Sequence, residues 1–185
     1  MSELSHLTLA IVNFIYVGAL PFIFFRPDGS RNLRWWLTAW PYIVYPCVLL
    51  AGHLGYLHPL LQLPGWTIPM VTLAHAGSIA LIAMTIGTHR IPISLWHQSN
   101  DAPVNIVTFG PYAFVRHPFY AAFILCQLAG LLGFVHPVSA VITLYSVVIL
   151  SLTARKEERK LLDSQFGAEY RAYLERTGRF FPRFG

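Results

Sequence analysis

Five apolar runs, at roughly residues 4–25, 35–56, 68–88, 118–134 and 138–154, occupy more than half of this chain and constrain what it can fold into. At 1.5 Å per residue the first three reach about 30 Å, the thickness of a hydrocarbon core, and the last two about 25 Å. Those two are separated only by Val135-His136-Pro137, which makes a tight helical hairpin. A pair this short either spans with local thinning or re-enters the bundle; spanning is the expectation. With 55% hydrophobic and only 11% charged residues, the chain is far from the roughly 25% charge of a soluble domain. The expected fold is all-α, a polytopic membrane helix bundle of about five transmembrane helices with a cytosolic C-terminal helical lid. Residues 1–185 read as one domain: three N-terminal spans and loops over 1–111, the hairpin over 112–154 and a tail over 155–185. The net charge of +5 accompanies apolar runs that must sit in lipid, so a soluble nucleic-acid binder is excluded. Oligomeric state is not legible.

Lys and Arg in short loops fall on the cytoplasmic side of a membrane. Loop 26–34 holds Arg26, Arg31 and Arg34, the stretch 89–117 holds Arg90 and Arg116, and the tail 155–185 holds the other eight; the N-terminus and the loops 57–67 and 135–137 hold none. This pattern places the N-terminus outside and the C-terminus, with the chemistry, in the cytosol. Met1-Ser2-Glu3 offers no basic n-region, so the first run reads as a retained span. Trp35, Trp36 and Trp40 are expected at the inner headgroup level, Tyr56 and Trp66 at the outer. Prolines 21, 41, 46 and 69 read as kinks. Cys47 and Cys126 lie inside apolar runs and read as small hydrophobes.

The polar residues that carry chemistry collect between 105 and 185. Arg116 and His117 precede Pro118, which suits the first turn of a helix, so both stand at a helix N-terminus beside free backbone donors and make a place for an anion. Taken alone, the pair is equally well explained by a snorkelling Arg and a turn-capping His. The tail adds more. Arg155-Lys156-Glu157-Glu158-Arg159-Lys160 leaves the fifth run, and two short helices carrying Leu161, Leu162, Phe166, Tyr170, Tyr173 and Leu174 on their apolar sides follow, with Gly167 and Gly178 as C-caps. The basic residues there suit an anchor on the anionic inner surface, but two acidic residues on that surface imply a cationic or hydroxylated ligand. A molecule with a carboxylate, an ammonium, ribose hydroxyls and a flat heterocycle matches the set; S-adenosylmethionine has all four.

Gly110-Pro111-Tyr112, Arg116-His117-Pro118-Phe119-Tyr120, Glu157-Glu158 and Phe166-Gly167-Ala168-Glu169-Tyr170-Arg171-Ala172-Tyr173 together resemble the ordered motifs of the isoprenylcysteine carboxyl methyltransferase family and its phospholipid methyltransferase relatives. The likeness covers about 80 residues. It implies an integral membrane enzyme that moves the methyl group of S-adenosylmethionine to a lipophilic acceptor. By position, Val107, Tyr112, Arg116, His117, Pro118, Phe119, Tyr120, Glu157 and Glu158 would bind the cofactor, with Glu158 and Arg155 as the catalytic candidates. The family's substrate-side Arg falls at Ala154 here, with Arg155 beside it. The acceptor stays open among an isoprenylcysteine-like or other hydrophobic carboxyl, an amine or a thiol.

Two rivals remain: an NADPH-dependent, sterol-reductase-like membrane enzyme, against which the Glu pair argues, and a non-enzymatic accessory membrane protein. The eight His are scattered without compact ligand spacing, so no metal site is expected.

Overall fold

The computed structural model describes residues 3–18, 25, 28–88 and 106–183, and every described element is helical apart from isolated β-bridges. Arg26, Arg90 and Pro21 lie outside the described residues. The helices are α1 (Glu3–Gly18), α2 (Leu33–His53), α3 (Thr67–Thr88), α4 (Pro118–Gly133), α5 (Pro137–Leu162) and α6 (Gly167–Arg176), with a 3₁₀ turn at Gly110–Ala113. Prolines begin α4 and α5, where a missing N–H leaves nothing unpaired. Residues 134–136 join the two helices as a hairpin. Pro41 and Pro46 sit inside α2.

Two of these helices, α3 and α5, are long and apolar enough to cross a membrane; α1 and α4 are apolar but have 16 residues each. Only 28% of the most apolar window of α3 and 39% of that of α5 is buried within the protein. The rest, including Leu73, Met84, Val141, Leu144 and Leu152, points outward. Outward-facing apolar stripes of this kind suit lipid and not water.

α3 packs most extensively on α4, and α1 and α2 close the bundle against them. A buried polar clasp links four helices. The His75 ring on α3 lies 3.2 Å from the Tyr45 hydroxyl of α2 and 3.4 Å from Asn13 Nδ2 of α1, while the Ser78 hydroxyl contacts Asn13 Oδ1 at 2.9 Å and the Ala122 carbonyl of α4 at 2.8 Å. Asn13, His75 and Ser78 have no exposed surface. Polar groups at this depth are costly unless they satisfy one another, so the clasp fixes which helix faces meet.

Several sequence expectations are corrected. α5 does not stop at Ala154 but runs unbroken to Leu162, since no breaker separates Arg155 from Leu162; one short helix follows it instead of two. Gly167 opens α6 instead of capping a helix, because a Cβ there would collide with the Leu162 carbonyl. Gly178 lies in an extended segment bridged to Val115. Trp35 is also not a headgroup residue: it is fully buried, its ring 6.4 Å from Phe119 and 6.2 Å from Tyr120. The rows of aromatic and apolar residues around it draw it into the core.

Gly130 of α4 lies against α2, where an added Cβ would clash with the buried Tyr45 ring. Gly130→Val is therefore expected to destabilise the bundle by about 1–3 kcal/mol, as overpacking does. Gly87→Ala, where a Cβ meets nothing within 4 Å, should be neutral or mildly stabilising. Thermal melts of the purified proteins in one detergent check both.

Candidate functional site

The site assembles where the start of α4, the last turns of α5 and the C-terminal segment 177–183 meet. The local sequence explains the approach. Gly110 takes φ +61, a left-handed conformation open to glycine, and a Cβ there would come within 2.7 Å of the Thr88 hydroxyl. The turn thus seats against the end of α3. The chain then extends through Val115, which pairs in parallel with Gly178: the Arg116 amide donates to the Gly178 carbonyl at 2.9 Å and the His117 amide to the Arg179 carbonyl at 3.1 Å. His117 occupies the N-cap position of α4 and Pro118 its first turn.

This pairing alters one expectation. The backbone donors of Arg116 and His117 are not free for an anion, because the carbonyls of the tail already accept them. Arg116 is likewise engaged. Its Nε donates to Glu158 Oε1 at 3.0 Å, and its Nη1 donates to the Thr177 carbonyl and, at 3.4 Å, to that of Leu174.

Glu158 is the hub. It lies one turn beyond Ala154 on the inward face of α5, with a side chain only 7% exposed. Besides Arg116 it receives Arg179, whose Nε lies 3.1 Å from both carboxylate oxygens and whose Nη2 donates to Oε2. His117 Nε2 stands 3.3 Å from Oε1, close enough for charge attraction but misaligned for a hydrogen bond, so this buried ring nitrogen has no hydrogen-bond partner. Glu157 sits beside it, accepting the Tyr120 hydroxyl at 2.8 Å and facing His117 Nδ1 at 3.5 Å. The His117 and Tyr120 rings stack within 4° of parallel at 5.4 Å, and Phe180 meets His117 edge-on at 6.1 Å. Tyr173 donates its hydroxyl to the Tyr112 carbonyl, tying α6 to the 3₁₀ turn.

Burial pushes the Glu158 carboxyl toward protonation, but the close His117 ring and the donors from Arg179 and Arg116 outweigh it and hold the group well below the usual carboxylate range. The Arg179 guanidinium is raised in turn by its bond to Glu158. Burial pushes the Tyr173 phenol up to about 12, with Arg116 pulling the other way, and the Tyr112 phenol is raised by burial and by its neighbours Tyr173 and Glu157. Both phenols are neutral at physiological pH.

Of the residues expected to act together, Arg116, His117, Tyr120, Glu157 and Glu158 converge. Tyr112 and Pro118 frame them. Phe119 turns into the core against Trp35 and Phe123, and Val107 lies half-buried on the approach to the turn. Arg155 is exposed and does not join the site, because the helical step places the fully buried Ala154, and not its neighbour, on the face that carries Glu158. Arg179 and Thr177, absent from the expected cofactor set, complete the cluster. Their only sequence signal is position, close behind a short amphipathic helix.

The model of the isoprenylcysteine carboxyl methyltransferase family matches residues 79–163. Over that segment the chain is similar to the family. The matched segment holds Arg116, His117, Glu157 and Glu158, while α6 and Arg179 follow it. Two curated relatives are similar over part of their length. The cobalt-zinc-cadmium resistance protein CzcN of Cupriavidus metallidurans is 32% identical over 123 residues, 64% of this chain and 52% of that protein. Methanethiol S-methyltransferase 1 of Bradyrhizobium diazoefficiens is 32% identical over 132 residues, 64% of this chain and 43% of that protein. The chain thus spans about half the length of the relatives it matches.

Replacing Glu158 by Gln leaves two guanidinium groups short of their counterion and is expected to cost about 3–5 kcal/mol, as breaking a buried pair does. The folded carboxyl titrates below the unfolded one. Its stabilisation is therefore complete above the ordinary value of 4.5 and drains away as pH falls below it. Melting temperatures across an acid series should fall in the wild type and fall less in Glu158→Gln.

Proposed function

We propose that this chain is a multi-pass membrane methyltransferase that draws its methyl group from S-adenosylmethionine and passes it to a lipophilic acceptor at the cytosolic face. The observation that carries the reading is the convergence of Arg116, His117, Glu157 and Glu158 at one point, all within the segment matched to a methyltransferase family. In this reading α1 to α5 cross the bilayer, the N-terminus lies outside, and α6 with the tail covers the site from the cytosol.

The residues present fit the cofactor. Two adjacent carboxylates balance its ammonium and sulfonium, the unpartnered Nε2 of His117 is a buried polar atom that a ligand group satisfies, and the stacked rings of His117 and Tyr120 suit a flat heterocycle. When bound, S-adenosylmethionine supplies an electrophilic methyl group on a sulfonium sulfur. The protein's own task is alignment and exclusion of water, and positioning of this kind is worth about 7–11 kcal/mol. Glu158 holds the ammonium end. Arg179, with 31% of its side chain exposed against 9% for Arg116, is the partner of Glu158 that an incoming cation displaces most readily, and once released it faces the ligand's carboxylate. Phe180 and the 177–183 segment shield the reacting atoms. A relative named methanethiol S-methyltransferase adds a thiol to the acceptors to be tried.

An NADPH-binding rival would need cations for a 2′-phosphate where this site concentrates carboxylates. S-adenosylhomocysteine is expected to raise the melting temperature of the detergent-solubilised protein and NADPH to leave it unchanged. The shift should be lost in His117→Ala and Glu158→Gln, each measured against its own ligand-free melt. Stabilisation by NADPH instead, or by neither, removes the proposal. Transfer of labelled methyl groups into extracted lipids and small hydrophobic thiols, with mass identification of the product, then names the acceptor.

A further inference from the structure

A cavity of about 670 Å³ opens between the end of α3, the turn at 110–115 and residues 180–182, with Leu81, Met84, Thr88, Phe114, Val115 and Phe180 among its walls. Its size falls within the roughly 300–1,000 Å³ of small-molecule sites. It adjoins the ionic cluster directly. Val115 immediately precedes Arg116 and is bridged to Gly178, and Phe180 lines the cavity while its ring meets His117 at 6.1 Å.

Among the described residues the lining carries no charged side chain. Thr88, the one polar side chain among those described residues, already donates its hydroxyl to the Met84 carbonyl at 2.7 Å. The neighbouring cations are committed elsewhere: Arg116 to Glu158 and the tail carbonyls, Arg179 to both oxygens of Glu158 or, once displaced, to the carboxylate of the cofactor. A carboxylate entering this space would shed its water and find no replacement, and a nucleoside would find little to satisfy its hydrogen-bonding groups. An uncharged apolar molecule loses nothing by entering.

We propose that this cavity holds the methyl acceptor, and that the acceptor is an uncharged apolar molecule presenting a neutral nucleophile such as a thiol, not a carboxylate. As the sulfur–methyl bond forms and S-adenosylhomocysteine is left behind, the S–H bond breaks and its proton passes to the Glu157 carboxylate of the adjoining cluster. The inference rests on the methyltransferase reading above and narrows its substrate class. Gly87 provides the means to test it: it lines the cavity, and a Cβ built there meets nothing within 4 Å, so a larger side chain fills the space without disturbing the bundle.

Hexanethiol and hexanoate, matched in chain length, are titrated calorimetrically at neutral pH into the full chain in nanodiscs, with empty nanodiscs subtracted. Hexanethiol is expected to bind at least about tenfold more tightly than hexanoate. Gly87→Leu should weaken hexanethiol by a similar factor while keeping the melting temperature and the response to S-adenosylhomocysteine. Thr88→Lys, which places a cation on the wall, should narrow or reverse the preference. Equal binding of the two probes, or an unchanged hexanethiol affinity in Gly87→Leu, overturns the proposal. Weakened S-adenosylhomocysteine binding in Gly87→Leu assigns the cavity to the nucleoside and overturns it as well. A wild type that ignores S-adenosylhomocysteine removes the methyltransferase reading, while the thiol-against-carboxylate comparison still reports on the cavity independently.

Discussion

A carboxylate withdrawn from water is among the most expensive groups a protein can bury, and Glu158 is tolerable only because Arg116, Arg179 and His117 surround it. Those partners come from separate parts of the chain. Arg116 and His117 precede α4, Glu158 ends α5, and Arg179 belongs to the tail. Meeting the electrostatic demand of one side chain therefore fixes the start of one helix, the register of another and the course of the last residues. The backbone pairing of Arg116 and His117 with residues 178 and 179 follows from the same requirement, since the carbonyls that cap α4 are carried in by the segment that delivers Arg179.

The rest of the bundle answers to a different constraint. Where helices face outward with apolar side chains, hydrophobic burial does little to choose which faces meet, and polar contacts between helices carry the specificity. The clasp of Asn13, Tyr45, His75 and Ser78 does this at mid-bundle, and the close approach of Tyr45 to Gly130 does it by shape. Trp35, packed on Phe119 and Tyr120, relays this packing to the site by buttressing the turn of α4 on which Tyr120 reaches Glu157.

Much of the site could be read from the chain before any coordinates. Pro118 announced the start of α4 with Arg116 and His117 ahead of it, and the Glu pair was conspicuous because acidic residues are unfavourable near an anionic surface unless something requires them. Arg155 misled because proximity in sequence is not proximity in space: a step of one residue turns a helix by about 100°, which puts Ala154 on the face of Glu158 and Arg155 on the outside. Arg179 was underrated for the opposite reason, since nothing in residues 177–183 specifies that they return to lie beside residues 115–117. Gly178 does follow the end of α6, whereas Gly167 was misread as a helix end because glycine marks tight reversals and close backbone approaches equally well.

Alone, the sequence determined the helical class, the α4–α5 hairpin and the candidacy of Arg116, His117 and Glu157 beside Glu158, because apolar run length, proline placement and charge type are local properties written residue by residue. Tertiary structure decided who pairs with whom. That Glu158 takes two arginines and a histidine, that the amides of Arg116 and His117 ahead of α4 are filled by the tail, and that a cavity with no charged side chain among its described residues opens beside the charged cluster are all consequences of segments far apart in the chain meeting in three dimensions, and long-range contact of that kind leaves no periodic trace in the chain.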